Sequence, residues 1–291
     1  MSDKKVLFRA SAVGKLMVGG NGITEKQLQE LDALMERHSS VEQKPLTTRM
    51  LQRMDLLIEK KNRPFELGAT AKTYVREVWL RGMFGYDEPV ITDEMTKGHL
   101  VEQDCMELVG KVIKSNTFRV KNRDNFENEW FTGSPDVILK EGIVEDMKAP
   151  YTLRTFLEAK LTKLYYTQLQ VYMDLLGFKK ARVVYALVNT PPHIVTEIKK
   201  RYWFKLNCDV LDDTAEYQEV EKKIDIMHNF NHIAPEKRVK CYEIEYNEEY
   251  MRELKKRVEA ARRYYDTIEL NQIDAEEIID FLPFNPDKEV S

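Results

Sequence analysis

Two aspartates and a lysine of this 291-residue chain have a spacing that suits phosphodiester chemistry. Gly133-Ser134-Pro135-Asp136 is followed, ten residues after its aspartate, by Asp146-Met147-Lys148. Three charged groups on a largely apolar stretch cost free energy if they are buried without a role, so an ordinary strand has little use for them. The pattern is typical of a metal-dependent phosphodiesterase site.

Two short apolar runs predict that these groups lie on a β-hairpin. Val137–Leu139 and 142–144 flank a polar two-residue turn, as the strands of a hairpin do. Asp136 and Asp146 then lie on neighbouring strands, where both carboxylates can converge on one cation, and the carbonyl of Met147 can be a further ligand. Mg²⁺ prefers hard oxygen ligands of this kind.

Lys148 follows Asp146 by two residues and therefore emerges on the same face of its strand. There it can orient a water that attacks phosphorus, help to deprotonate it, or stabilise the charge that develops, while a metal lowers the pKa of that water. Glu145 is the competing acid. Strand alternation directs it away from Lys148, which favours Asp146 as the ligand.

A third acid is expected from a helix beside the hairpin, and Glu102 is the candidate. Gly98 permits a close approach, and Leu100, Val101 and Leu108 supply an apolar surface around the acid. A solvated glutamate on a charged helix is the alternative, and Glu102 taken alone favours that alternative.

Gln168 and Tyr172 are four residues apart on a predicted helix and share one of its faces. A glutamine near a metal site can hold a water or a phosphate oxygen through hydrogen bonds. The polar face of an ordinary amphipathic helix explains the pair equally well.

The periodicity along the chain predicts helices first and strands later, which indicates an α/β (α+β) fold with helical insertions. Residues 6–18 form a short helix or turn, and strand edges are expected at 118–120 and 129–131. The predicted helices are 24 onward with a capping pattern, 47–60, 68–81, 96–114, 153–176 and 248–267. A buried strand is expected at 182–188, and 195–206 alternate as a further strand would.

Composition is that of a globular protein with an uneven charge distribution. The net charge is −4, but Asp266–Ser291 holds eight acids and one lysine, so the remaining residues carry about +3 and can form a basic groove. No apolar run approaches the length of a membrane span. Three scattered cysteines without a CxxC pair fit a reduced, cytoplasmic compartment and disfavour a zinc site.

These blocks together, in their order and spacing, resemble the PD-(D/E)XK nucleases, and more narrowly the YqaJ-type viral recombinases, the family of phage lambda exonuclease. The resemblance implies a restriction-endonuclease-like core, with a mixed central β-sheet flanked by helices. One nuclease domain is expected over 1–268, with insertions at about 21–64 and 195–240. An acidic tail at 269–291 follows it.

Enzymes of this family digest linear double-stranded DNA from 5′ to 3′ and leave a 3′ single strand for an annealing protein. The resemblance therefore implies Mg²⁺, for which Mn²⁺ can substitute, with one or two ions per site. It also implies DNA ends, a single-strand annealing protein and further copies of the chain in a trimeric ring as partners. It further implies no membrane partner and a cytoplasmic location, which is that of the bacterial host cell if the chain is viral.

The resemblance also implies roles for individual residues. The metal ligands are Glu102, Asp136, Asp146 and the Met147 carbonyl, and Lys148 is the catalytic lysine. The residues implied to bind DNA or its terminal 5′-phosphate are Ser11, Ser134, Arg154, Gln168 and Tyr172. Many relatives carry glutamate where this chain has Asp146, and the basic residue expected just before Ser11 has no clean match, although Lys4, Lys5 and Arg9 are candidates.

Two other functions share these residues. An endonuclease or a RecB/Cas4-like nuclease could use the same site, although the latter usually adds an iron–sulfur cluster with four cysteines. A DNA-binding protein on an inactive nuclease fold is the third possibility, and it ranks last because each catalytic residue type is present.

Overall fold

The computed structural model describes residues 5–20, 22–40, 44–63, 65–87, 91–114, 118–206 and 214–269. These residues belong to two compact units, one within Met1–Met17 and Glu88–Lys256 and the other within Val18–Asp87 and Arg257–Ser291. Every candidate site residue lies in the first unit. A single nuclease domain over 1–268 stays a prediction, and the predicted acidic tail lies outside the described residues from 270 onward.

Strands of the first unit pair into two mixed sheets. They are β1 (Phe8–Arg9), β2 (Phe126–Glu127), β3 (Phe131–Gly133), β4 (Val137–Leu139), β5 (Ile143–Lys148), β6 (Lys180–Ala186) and β7 (Val239–Glu245). The smaller sheet has the order β1-β3-β2 and the larger has the order β4-β5-β6-β7. Pairing is parallel for β1 with β3 and for β5 with β6, and antiparallel elsewhere. The predicted α/β class with a mixed sheet is confirmed, with its strands divided between two sheets.

The helices vary from one turn to five. They are α1 (Glu25–Ser39), α2 (Thr48–Asn62), α3 (Ala69–Phe84), α4 (Asp93–Leu100), α5 (Glu102–Val112), α6 (Leu153–Glu158), α7 (Lys163–Leu176), α8 (Pro192–Lys205), α9 (Ala215–His228) and α10 (Glu248–Tyr265), with 3-10 turns at Val13–Met17 and Pro235–Lys237. None of the helices in the described part of the chain is long and apolar enough to cross a bilayer.

Helices α5 and α7 pack on the larger sheet and form its core. From α5, Cys105 and Val109 lie against Val184 and Ala186 of β6, and all four side chains are almost fully buried. The continuous apolar run of β6 is the sequence signature of such a doubly covered strand. The second unit has its own apolar cluster, to which Leu31, Leu46, Met54 and Leu57 contribute.

Two predicted helices are each broken in two. The helix expected at 96–114 stops at Val101, whose ψ of 13° leaves the helical range, so that α5 starts at Glu102. The helix expected at 153–176 is interrupted between Glu158 and Lys163, where the Thr162 side chain accepts a hydrogen bond from the Tyr165 amide and caps α7. Both breaks lie inside runs whose apolar periodicity continues, so the pattern alone does not reveal them.

Two smaller predictions are wrong in type, and a third, the short helix or turn at 6–18, is confirmed in part. Residues 195–205 belong to helix α8 and Leu206 is its C-cap; the helix opens with a proline and buries Ile194 and Ile198, one turn apart, on one face. Residues 118–120 are not a strand, because the pairing begins at Phe126. Residues 6–18 divide into β1 and a 3-10 turn. The capped helix α1 and the hairpin of β4 and β5 are confirmed.

A fully buried lysine fastens α4 to the chain that leaves β5. The ammonium of Lys97 donates to the carbonyl oxygens of Pro150 at 2.9 Å and Tyr151 at 3.2 Å. It also lies 5.3 Å from the centre of the Phe230 ring. No acid pairs with it among the described residues, and burial lowers the pKa of Lys97 to about 8. Lys97 thus fixes the helix just before Glu102 relative to the segment just after Lys148.

Wild type should gain stability relative to Lys97→Met as the pH rises. Below the folded pKa of about 8, both folded and unfolded Lys97 carry the proton, and the fold bears the cost of a buried charge. Between that value and the unfolded pKa, the unfolded chain binds the extra proton, so the free energy of unfolding rises with pH. Urea unfolding at pH 7 and pH 9.5 should show a gain of about 2 kcal/mol for wild type over the variant. A constant difference between the two proteins would contradict the buried, unpaired lysine.

Candidate active site

The β4–β5 hairpin brings Asp136 and Asp146 together. Val137 pairs with Glu145 in antiparallel register, which sets Asp136 opposite Asp146. Asp136 is held there by the amide of Met147, which donates to its Oδ2 atom at 2.8 Å. Asp146 is almost fully buried, and burial raises the pKa of its carboxyl above the ordinary value.

Lys148 lies on the same face of β5 as Asp146. Its Nζ atom is 2.6 Å from Asp146 Oδ2 and 4.9 Å from the centre of the Tyr165 ring. Burial alone would lower the pKa of Lys148, but the Asp146 carboxylate outweighs burial, so the pKa of Lys148 is raised. Lys148 is therefore an ammonium group at neutral pH in this arrangement.

Glu102 is linked to Asp136 of the hairpin by Lys121, a residue that the sequence analysis did not identify as a site residue. Lys121 Nζ lies 2.8 Å from Glu102 Oε1 and 3.2 Å from Asp136 Oδ1. The break in the helix at Val101 places Glu102 in the first turn of α5, where a negative charge suits the helix dipole. Lys121 belongs to an irregular segment with no periodicity, so no pattern in the sequence marks it.

Glu145 points to the opposite face of β5, as strand alternation predicts. It is fully buried and accepts two hydrogen bonds from Arg119, at 2.7 and 2.9 Å, with Arg182 Nη1 at 3.4 Å. Those arginines satisfy its charge away from Lys148. Glu145 is a structural acid, and it does not compete with Asp146.

Gln168 and Tyr172 connect Asp146 to helix α7. Gln168 Nε2 donates to Asp146 Oδ1 at 3.1 Å and to the Tyr172 hydroxyl at 2.9 Å. That hydroxyl donates in turn to the Ser134 carbonyl oxygen at 3.2 Å. This chain of contacts fixes the orientation of the Asp146 carboxylate. The predicted phosphate contact of Gln168 stays a prediction.

A cleft of about 690 Å³ contains these groups. Its lining includes Ser11, Glu102, Asp136, Asp146, Lys148 and Gln168. A smaller pocket of about 300 Å³ shares Ser11 and Tyr172 with the cleft and adds Arg9 and Ser134. The predicted phosphate residues Ser11 and Ser134 therefore line this small pocket together with a basic side chain.

Two predicted features fall outside this arrangement. Arg154 is exposed, pairs with Glu158 at 3.1 Å one turn along α6, and does not line the cleft, so its DNA contact stays a prediction. The predicted close approach at Gly98 is wrong, because a Cβ atom there would meet no described atom within 4 Å. Around Glu102, Val101 and Leu108 are buried, whereas Leu100 is half exposed.

The carboxylate oxygens of the cleft suit a hard divalent cation, although in this structure they form ion pairs with Lys121 and Lys148. Asp136, Asp146 and Glu102 offer carboxylate oxygens, and Asp146 Oδ2 has no donor other than Lys148 among the described residues. In that part of the chain, no group of three His, Cys, Asp or Glu side chains converges as a metal site does. The metal ligands, including the Met147 carbonyl, stay predictions.

Comparisons with known proteins support the fold. The chain matches no family model and no curated protein sequence. It is similar to the crystal structure of a phage-related exonuclease from Haemophilus somnus 129PT, with a TM-score of 0.60 and 20% identity over 90% of this chain and 94% of that one. It is also similar to an alkaline exonuclease (LHK-Exo) from Laribacter hongkongensis, with a TM-score of 0.50 and 13% identity over 90% and 89%.

The chain therefore has the fold of these exonucleases. The fold implied by the four short blocks of sequence is confirmed by this likeness. The identities are low, so the likeness shows the fold alone, and the chemistry of the cleft has to be argued from its own geometry.

Gly133→Ala should destabilise the protein, because a Cβ at Gly133 would lie 2.9 Å from both the Ala10 side chain and the Tyr172 ring. We expect a loss of about 1–3 kcal/mol in the free energy of unfolding, as for other overpacked sites. Gly98→Ala is the matched control: it meets open space within a helix and should be neutral or stabilising by up to about 1 kcal/mol. Urea unfolding of both variants measures this, and equal stabilities would contradict the tight contact between Gly133 and Tyr172.

Proposed function

We propose that this chain is a metal-dependent deoxyribonuclease that digests linear double-stranded DNA from its ends, in the 5′ to 3′ direction. The observation that carries the proposal is the hairpin that sets Asp136 opposite Asp146, with Lys148 Nζ 2.6 Å from Asp146, in one cleft. Two acids and an ammonium group at such distances are the groups that phosphodiester hydrolysis uses. The exonuclease folds that this chain resembles support the same reaction class.

The acids of the cleft would hold Mg²⁺, or Mn²⁺ in its place. Asp136 and Asp146 offer oxygens from adjacent strands, and Glu102 and the Met147 carbonyl complete the proposed set. When bound, such an ion lowers the pKa of a coordinated water and polarises the phosphate. Gln168, through its bond to Asp146, keeps one carboxylate oriented while the DNA enters.

Lys148 suits charge stabilisation better than proton abstraction. The adjacent Asp146 carboxylate keeps it protonated, so its Nζ atom can donate to a phosphate oxygen or hold the attacking water in line. The Tyr165 ring, 4.9 Å from the ammonium, adds a cation–π contact that favours this position. A fixed donor aimed at developing charge is the kind of group whose removal costs much of the rate.

The small pocket beside the cleft is suited to a terminal 5′-phosphate. It combines the Arg9 side chain with two serines, and its shared residues Ser11 and Tyr172 place it next to the metal ligands. A phosphate held there would present the first phosphodiester to the acids, and digestion would then depend on a DNA end. The 3′ strand that remains would pass to a single-strand annealing protein, and a ring of three chains around the duplex would account for sustained digestion.

Mg²⁺ should let the wild-type chain degrade linear duplex DNA and leave covalently closed circles intact. Asp136→Asn and Lys148→Met should each slow digestion by at least about 10²-fold, because each removes a group positioned on the reacting phosphate, while DNA binding persists. Gel assays with end-labelled and circular substrates, together with a DNA-binding titration, measure these effects.

Glu141→Gln and Lys140→Met are the matched controls, since both residues are exposed and sit at the turn of the same hairpin, away from the cleft. Both should keep wild-type activity. Cutting of circular DNA would indicate an endonuclease, and DNA binding without any cleavage would indicate an inactive nuclease fold. Either result would contradict the proposed activity.

Arg9→Gln should remove the preference for a 5′-phosphorylated end. A charge-assisted hydrogen bond to phosphate contributes about 1.5–3 kcal/mol, so the ratio of rates on 5′-phosphate and 5′-hydroxyl duplexes should fall by about 10-fold or more. Lys5→Gln is the control, because Lys5 is exposed, lies near Glu129 at 3.7 Å and does not line the pocket. If Lys5→Gln changes the ratio and Arg9→Gln does not, the pocket is misassigned.

A further inference from the structure

Lys121 occupies the space between two of the proposed metal ligands. Its ammonium bridges Glu102 Oε1 and Asp136 Oδ1 at 2.8 and 3.2 Å, and these two acids approach each other through that ammonium. The second oxygen of Asp136 is already engaged by the Met147 amide. A divalent cation that binds Glu102 and Asp136 together therefore needs the position that Lys121 Nζ holds.

The charge balance among these side chains also favours a divalent ion that replaces the Lys121 ammonium over one that is added beside it. Glu102, Asp136 and Asp146 carry three negative charges, while Lys121 and Lys148 carry two positive charges. A divalent ion added to this set leaves an excess positive charge, whereas an ion that replaces Lys121 leaves the acids and cations balanced. Like charges crowded into a half-buried cleft repel strongly, so replacement has the lower electrostatic energy.

The chain around Lys121 allows its side chain to leave while its backbone stays fixed. The Asn122 amide donates to the Asp136 carbonyl at 2.8 Å, and the Asn122 side chain donates to the Pro135 carbonyl at 3.0 Å. The Lys121 side chain itself is 36% exposed, compared with 25% for Lys148. Lys148 also has the Tyr165 ring 4.9 Å from its ammonium, so Lys121 is the more solvent-exposed of the two side chains.

We propose that Lys121 is the counter-ion of Glu102 and Asp136, which a divalent cation must displace from these two acids. The inference rests on the metal site of the proposed function. It assigns Lys121 two effects of opposite sign: the ammonium stabilises the acids before the metal arrives, and it competes with the metal for them. Once displaced from Glu102 and Asp136, the ammonium would be free to contact a phosphate of DNA bound at these acids.

Metal affinity measured without DNA tests this proposal. Isothermal titration of the full chain with Ca²⁺, and separately with Mn²⁺, should give a dissociation constant about tenfold lower for Lys121→Met than for wild type, because a bridging ion pair of about 1.4 kcal/mol no longer has to be broken. Lys121→Arg keeps the charge at the site and should bind the ions no more tightly than wild type.

Arg123→Met is the charge-matched control. Arg123 is exposed, lies two residues along the same segment and does not line the cleft, so its loss changes the net charge equally without freeing the acids. Its dissociation constant should stay close to that of wild type. A Lys121→Met affinity equal to that of Arg123→Met, or weaker than that of wild type, would overturn the proposal.

Thermal melts supply a second readout that does not depend on the titration. In EDTA, Lys121→Met should unfold at a lower temperature than wild type, because Glu102 and Asp136 lose their counter-ion. Saturating Ca²⁺ should raise its melting temperature by more than it raises that of wild type. Equal melting temperatures in EDTA would contradict the resident counter-ion.

The Asp136→Asn variant distinguishes a failure of the Lys121 displacement from a failure of the proposed metal site itself. If wild type binds the ions, Asp136→Asn does not, and Lys121→Met binds like wild type, the metal site stands and the displacement of Lys121 is wrong. If wild type and Asp136→Asn bind neither ion, the proposed metal site fails and the inference fails with it.

Discussion

Electrostatic repulsion among three carboxylates is the constraint on which this site depends. The antiparallel register of β4 and β5 sets Asp136 opposite Asp146, and the first turn of α5 adds Glu102. A fold that gathers these charges must supply cations to offset them. Lys148 does so from the same strand face, and Lys121 does so from an irregular segment fixed to the start of β4.

The two faces of β5 place adjacent acids in different surroundings, one in the core and one in the cleft. Glu145 is buried against Arg119, with both of its oxygens paired, and contributes to the fold. Its neighbour Asp146 faces the cleft, where Gln168 and Lys148 orient it without filling every ligand position. The one-residue alternation of a strand is sufficient to give two adjacent acids these different roles.

Local patterns in the sequence predicted the part of the site that local geometry determines. Period-two alternation placed Asp146 with Lys148 and set Glu145 apart, and the hairpin followed from two apolar runs around a turn. Lys121 could not be predicted this way, because its contacts depend on how the irregular segment before β2 lies against α5 and β4. Individual hydrogen bonds such as those of Gln168 depend on the same tertiary packing.

Helix boundaries were harder to predict for a related reason. Apolar spacing runs through Val101 and through 159–162, so it cannot reveal where capping and tertiary contacts stop a helix. The break at Val101 matters for the proposed site, since it places Glu102 at a helix start, where Lys121 links it to Asp136 of the hairpin. At α8, an aromatic run that ends at Phe204 resembles strand alternation, whereas the buried isoleucines follow the helical repeat.

The position of the cation in a crystal grown with Mn²⁺ tests the central claim most directly. An anomalous difference map should show a peak in the cleft about 2.1 Å from carboxylate oxygens of both Asp136 and Asp146, with the Lys121 ammonium withdrawn from Glu102. Absence of a peak there, or a peak held by other side chains while both lysines remain on the acids, would contradict the account of a metal-dependent nuclease site at this hairpin.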